Sequence, residues 1–172
     1  IISADHGEAF GEHTMWKHAF ALWEVLTQVP LMFKIPGVEP RRIQVRRSQI
    51  DLAPTILGLL GRKPDPGFAG KSMVPELFGA EPDDREPILL YLPADTYNPP
   101  TRAAIKGDYK LLEDPGPKYK LFNLRVDPGE NRDLSSDPKH AAALADMRKV
   151  FDEAWGAHVY VPPFGHRKLV AG

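Results

Sequence analysis

Apolar residues fall in short runs separated by turn-forming residues, and their period changes along the chain. Ile1 to Ala4 is a β-capable run that stops abruptly at Asp5-His6-Gly7. A strand giving way to a polar glycine turn is the usual exit from a parallel α/β sheet, where ligands sit beyond the strand's carboxyl end. Phe20, Leu22, Trp23 and Leu26 recur at mixed helical spacing and predict a short helix over residues 19–26. Residues 29–35 are apolar except for Lys34 and end at Pro36-Gly37, which predicts a buried strand. Asp51 is the expected N-cap of a clearer helix, with Pro54 in its first turn. Ala53, Ile56, Leu57 and Leu60 form its apolar face and Gly61 supplies its stop.

Residues 62–86 are rich in Pro, Gly and charge and read as a surface excursion holding one short helix near Met73 to Phe78. Ile88 to Leu92 reads as a strand. Arg102 to Leu112 and Lys118 to Leu124 are β-like stretches joined by Asp114-Pro115-Gly116-Pro117, a hairpin signal. A turn region at Asp127-Pro128-Gly129-Glu130-Asn131 leads to Asp137-Pro138, a cap followed by proline at the first helical position. Leu144, Met147, Phe151, Ala154 and Trp155 then share one face of a helix that Gly156 ends. Strands followed by a terminal helix predict a small antiparallel α+β subdomain.

Composition narrows the function classes. Lys+Arg 22 against Asp+Glu 23 gives a formal net charge of −1, so no global basic field draws the chain to nucleic acid or anionic membrane. No segment approaches the roughly 18 apolar residues that span a bilayer. Cys is 0, which excludes a thiolate metal site and a cysteine nucleophile within the chain and leaves its compartment open. The opening Ile1-Ile2-Ser3 reads like the middle of a strand, so the chain is expected to be a piece of a longer protein.

Chemistry concentrates at the amino end. Asp5, His6, Glu8, Glu12, His13, Lys17 and His18 all lie within 18 residues. A carboxylate oxygen and an imidazole nitrogen side by side make a mixed donor pair for a divalent cation. The same residues also have plain structural readings: Asp-His-Gly as a turn, Glu8 and Glu12 as one exposed face, His13 as a hydrogen-bonded core histidine.

The ordered set of motifs resembles the C-terminal portion of a sulfatase of the alkaline phosphatase superfamily. It runs Ser3-Ala4-Asp5-His6-Gly7-Glu8, Gly11-Glu12-His13, Trp16-Lys17-His18 and Val29-Pro30-Leu31. It continues through Gln49-Ile50-Asp51-Leu52-Ala53-Pro54-Thr55-Ile56-Leu57 and Gly70-Lys71-Ser72. It ends at Lys106-Gly107-Asp108-Tyr109-Lys110-Leu111, Leu121-Phe122-Asn123-Leu124 and Asp127-Pro128-Gly129-Glu130.

The resemblance implies an alkaline-phosphatase-like, doubly wound α/β sheet, present in part over residues 1–100, with the antiparallel α+β subdomain over 101–172. By the same resemblance Asp5 and His6 are metal ligands, with calcium the expected ion. Lys17 is the lysine that contacts the sulfate, and His13 and His18 are further catalytic candidates. The family's nucleophile is a formylglycine made within a Cys/Ser-X-Pro/Ala-X-Arg motif. No such motif occurs here, so it is expected in a missing N-terminal half. The implied function is metal-dependent sulfuric ester hydrolysis on a sulfated small molecule or glycan, with this fragment alone inactive and prone to self-association through exposed sheet edges. Phosphonate monoester or phosphodiester hydrolysis, or a noncatalytic domain of the same fold, are the alternatives.

Overall fold

The computed structural model describes residues 1–18, 20–83, 86–94, 96, 98–114 and 118–157. The amino-terminal part contains β1 (Ile2–Ser3), β2 (Ala9–Phe10), β3 (Trp16–Lys17), α1 (Glu24–Thr27) and β4 (Leu31–Met32). Two further helices follow, α2 (Leu52–Leu59) and α3 (Val74–Leu77). The rest is β5 (Ile88–Leu92), β6 (Thr101–Lys106), β7 (Tyr109–Asp114), β8 (Lys118–Asn123) and α4 (Ala141–Ala157).

β5 to β8 form one antiparallel sheet in chain order. Side chains alternate across it, as the two-residue period of a strand requires. Ala103, Ile105, Leu112 and Phe122 face one way and pack with Leu22, Trp23 and Leu124. Ala104, Leu111 and Leu121 face the other way and pack with Leu134, Met147 and Phe151. The sheet is therefore a middle layer, with α4 on one side and the segment around Leu22 on the other. Each buried Leu or Phe contributes about 1.5–3 kcal/mol. An exposed pair such as Lys71–Glu86 is worth about 0–1 kcal/mol. Apolar burial on the two sheet faces decides the fold.

Several expectations are redrawn by this packing. The stretch 102–112 is not one strand but the hairpin β6–β7, turned at Gly107-Asp108 with Lys106 opposite Tyr109. Gly107 sits at φ 56°, the left-handed value that a primed hairpin turn asks of its first central residue. The β7–β8 pairing agrees with the one hairpin expected, whose turn at Pro115 to Pro117 lies outside the described residues. β5 is hydrogen-bonded along its length to β6, so the sheet reaches back to residue 88. The helix expected over 19–26 shrinks to the single turn α1, because Trp23 is extended (φ −67°, ψ 148°) where the chain crosses the sheet face.

The amino-terminal strand is also different. β1 pairs antiparallel with β4, Ile2 opposite Met32. The run 29–35 is a strand only over β4, and Met32 is 54% exposed. Burial needs a layer on each face, and the described residues give β4 only β1 as a strand neighbour.

The remaining helices form where expected, but the face read as apolar on α2 is not the one it buries: Ile56 is 40% and Leu60 69% exposed, while Pro54 and Thr55 are buried and Thr55 Oγ1 accepts from Met73 N–H. α4 also continues past Gly156 to Ala157, and the cap before α2 changes. Ser48 rather than Asp51 precedes the helical geometry: its N–H donates to Asp51 Oδ2 at 3.3 Å, and a 3-10 turn over Gln49–Asp51 feeds α2. Gly61, at φ 68°, ends α2 in a Schellman pattern, with Gly61 N–H to Gly58 O and Arg62 N–H to Leu57 O. Asp51 Oδ1 accepts from Lys71 N–H at 2.8 Å, and a Cβ on Gly70 would lie 2.1 Å from the Ile50 carbonyl oxygen. The Gln49–Leu57 and Gly70–Ser72 motifs are thus one packed unit. Asp137 caps the turn before α4 by accepting from Lys139 N–H at 3.0 Å.

A cluster of charged residues, Lys110 with Glu24 and Glu130, lies in the core. Lys110 projects from β7 on the face that carries Leu112 and is 0% exposed. Its Nζ is 3.1 Å from Glu24 Oε1 and 2.8 Å from Glu130 Oε1, and it also donates to the Leu22 carbonyl. The turn 22–27 held this way supports the amino-terminal segment: Gly7 N–H donates to Leu26 O at 2.8 Å.

Two outcomes follow from these contacts. A Cβ at Gly7 would lie 2.0 Å from the Val25 carbonyl oxygen, so the 5–7 turn must withdraw from α1 to accept one. Gly7→Ala in the full-length protein is expected to cost about 1–3 kcal/mol, read as the shift in its denaturation midpoint. Burial holds the Glu130 carboxyl above its ordinary value near 4.5, against the pull of Lys110. Its contribution to stability is therefore greatest below that value and is lost as pH rises through the folded-state pKa. Wild type should lose stability relative to Glu130→Gln as pH climbs from about 4 upward, seen in paired urea titrations; parallel curves would contradict the assignment.

Candidate functional site

The Asp5-His6-Gly7 turn begins where β1 ends. Gln49 Nε2 donates to the Ala4 carbonyl at 2.6 Å, and Gly7 rests against α1, so the turn is tied on both sides. The glycine is required by close backbone approach to Val25, not by a left-handed φ. Asp5 and His6 project outward from this fixed base, their side chains 90% and 47% exposed.

The ring nitrogens of His6 are distinguished by their neighbours. Nδ1 lies 2.7 Å from Gly7 O and must donate to it, because a carbonyl only accepts. In the neutral ring this leaves the Nε2 lone pair free, and Nε2 lies 3.8 Å from Asp5 Oδ2. The Gly7 carbonyl, then the charges of Asp5 and Glu8, raise the His6 pKa above the ordinary imidazole value. A nitrogen and a carboxylate oxygen facing one another in this way suit a shared divalent cation. Among the described residues no group of three or more acidic or histidine side chains is placed to hold a metal. Asp5 and His6 are therefore a pair of ligands rather than a full coordination shell.

His18 joins them. Its ring centroid is 4.8 Å from that of His6, and its Nδ1 lies 3.3 Å from Glu8 Oε2. Asp5, His6 and His18 line one concavity of about 1550 Å³. Lys17 and His13 do not line it. Lys17 is exposed on β3, opposite Ala9 in the β2–β3 pair. His13 stacks on Trp23, with centroids 4.0 Å apart and planes 7° from parallel. Glu8, read from sequence only as part of an exposed face, is the partner that orients His18. A carboxylate ten residues from a histidine carries no periodic signal, so only the hairpin fold reveals the pair.

The loop between Phe10 and His18 is strained. His13, Thr14 and Lys17 have φ values of 51°, 60° and 68°, all in the left-handed region. That region costs a residue with a Cβ about 1–2 kcal/mol. Backbone and side-chain bonds within the loop offset the cost: Gly11 N–H to Met15 O at 2.8 Å and Phe10 N–H to Glu12 Oε2 at 2.6 Å. The latter bond also holds the Glu12 carboxyl below its usual range. Strain of this kind persists where the surroundings over-determine a conformation, and it clusters at functional loops.

Comparison with known proteins bears on the family and the fold. The family described as N-sulphoglucosamine sulphohydrolase, C-terminal, matches residues 11–155. The chain is similar to the Delta 4,5-hexuronate-2-O-sulfatase of Bacteroides thetaiotaomicron, at 27% identity over 173 residues, covering 89% of this chain and 34% of that one. A solved 2-O GAG sulfatase superposes with a TM-score of 0.80 at 27% identity, over 90% of this chain and 35% of the other. A phosphonate monoester hydrolase from Silicibacter pomeroyi superposes with a TM-score of 0.75 at 26% identity, over 91% and 34%. The chain thus spans about a third of the length of each. No helix among the described residues is long and apolar enough to cross a membrane. The fold expected from the motifs is borne out as a partial, C-terminal region of the alkaline-phosphatase-like architecture, and the chain belongs to the sulfatase family.

Proposed function

We propose that this chain forms one wall of a metal-dependent sulfuric ester hydrolase site acting on a sulfated glycan. The observation that carries the reading is the meeting of Asp5, His6 and His18 in one concavity, Asp5 and His6 on a turn held from behind by α1 and Gln49 and His18 at the end of the strained 11–18 hairpin. Asp5 and His6 would hold a divalent cation, calcium being the ion the family resemblance favours, and it would supply positive charge to the ester's nonbridging oxygens. The His6 tautomer fixed by Gly7 presents Nε2 to that cation. His18, steadied by Glu8, faces the same space and is the chain's nearest donor for an ester oxygen. Lys17 is the alternative donor, next in sequence but outside the concavity. Two ligands do not complete a metal site. The remaining ligands and the nucleophile therefore have to come from outside the described residues.

A sulfated glycan is the favoured substrate because two of the similar proteins, the hexuronate-2-O-sulfatase and the 2-O GAG sulfatase, are named for a sulfated sugar position. A phosphonate monoester is the second reading, supported by the likeness to the Silicibacter pomeroyi hydrolase.

The test uses the full-length protein and parallel rates on sulfated disaccharides, aryl sulfates and an aryl phosphonate monoester. Sulfate-ester turnover should fall by about 10²–10³-fold on Asp5→Ala or His18→Ala, and similarly on chelation. Lys17→Ala should cost less than His18→Ala. Turnover that survives both Asp5→Ala and chelator would overturn the metal role. A faster rate on the phosphonate than on any sulfate would move the assignment to the second reading.

A further inference from the structure

We propose that Lys110, Glu24 and Glu130 form a positioning cluster that sets the location of the Asp5–His18 segment from the opposite layer of the fold. It takes the proposed site as the thing positioned and does not depend on the reaction carried out there.

The cluster joins two parts of the chain that are far apart in sequence. Lys110 lies on β7, next to the Gly107-Asp108 turn, and Glu130 closes the Asp127-Pro128-Gly129 turn. Both reach across to the start of α1. Lys110 Nζ donates to the Leu22 carbonyl and stands 3.1 Å from Glu24 Oε1. Glu130 Oε2 accepts from the Glu24 backbone N–H at 2.5 Å, while its Oε1 lies 2.8 Å from Lys110 Nζ. Three points on one short turn (a carbonyl, an amide and a carboxylate) are therefore held by two side chains. Three points fix both the position and the orientation of a rigid turn.

That turn carries the site segment on its other side. Leu26 O receives Gly7 N–H at 2.8 Å, and the Val25 carbonyl leaves no space for a Cβ on Gly7. Trp23 stacks beneath His13. Movement of residues 22–26 must therefore carry the 5–7 turn and the 11–18 hairpin with it.

Stability alone does not account for the arrangement. Buried ion clusters are often replaced by well-packed apolar groups at no loss, since desolvation offsets most of the attraction. Here two carboxylates share one ammonium, and Glu130 is held at φ 53°, left-handed for a residue with a Cβ. What these charges supply that apolar groups would not is direction: an ammonium that donates to the Leu22 carbonyl and to Glu24, with the Glu130 carboxylate in ion-pair contact, holds the turn in one geometry.

The decisive experiment compares hydrogen–deuterium exchange in the full-length protein for wild type and Lys110→Met/Glu24→Gln/Glu130→Gln. The triple variant keeps the side-chain shapes and removes every charge. It is expected to melt within about 5 °C of wild type, yet to exchange amides of residues 5–18 at least about tenfold faster. Its kcat for the ester should fall more than its KM rises. Unchanged exchange over 5–18 at matched stability overturns the proposal, because a purely stabilising cluster predicts that result. Should the triple variant fail to fold, Glu24→Gln alone removes one of the three points, and the same increase or its absence decides the matter. If the wild-type protein hydrolyses neither sulfate nor phosphonate esters, the proposed function fails while the exchange comparison still judges the cluster.

Discussion

A lysine ammonium with no exposed surface needs an oxygen for each of its protons. In this fold Leu22 O and Glu24 accept from it and the Glu130 carboxylate stands against it as an ion pair, each from a segment outside the strand that carries Lys110. The interaction is not the largest stabilising contribution, which belongs to the apolar faces of the sheet. It is instead the contact that ties the amino-terminal segment to the sheet in one register. Hydrophobic packing of Leu22 and Trp23 against Ala103, Ile105 and Phe122 would tolerate sliding. A buried ammonium between two carboxylates would not, because a displacement of an ångström leaves a charge unpaired in a low-dielectric interior.

The fold is legible in the sequence wherever both faces of an element find partners inside the chain. The β7–β8 pair and α4 follow from alternation and an apolar stripe, and Asp137-Pro138 caps the turn into α4 as read; α2 forms where read but buries Pro54 and Thr55 rather than the stripe of Ile56 and Leu60. The misreadings have a common cause. The run 29–35 and residues 19–26 carry strong apolar patterns, but pattern reports which residues avoid water rather than which geometry hides them. Trp23 is half-buried by extending across the sheet, not by turning into a helix. Lys110 illustrates the opposite error: a lysine in a strand reads as solvent-facing, and nothing local reveals that residues 22–24 and 130 cover that face. Only the motif pair Lys106–Leu111 and Asp127–Glu130 marked these residues out, without saying that they touch.

The candidate site was legible in type and less so in geometry. Asp5 and His6 stand together because they are adjacent, and the structure adds the reason they are held still: Gly7 has no Cβ and can sit directly on Val25. Neighbours in sequence need not face the same space, and here Lys17 and His18 diverge. Adjacent residues of a strand point to opposite faces, and Lys17 in addition takes a left-handed φ; His18 lies beside His6 and Lys17 outside the concavity. Backbone sign at a single residue is invisible to spacing arguments, which assume a regular period.

Strain, clamp and site together describe one division of labour. The 11–18 hairpin holds three non-glycine residues in the left-handed region, at a combined cost of a few kcal/mol. A hairpin of two-residue strands lacks the ladder bonds to meet that cost by itself. It must be supported from outside, by Trp23 under His13 and by α1 under Gly7. That support is only as rigid as its own attachment, which leads back to Glu24, Lys110 and Glu130. The polar groups facing the concavity can remain exposed and free to bind because a second polar cluster, fully buried, carries the positional constraint on their behalf.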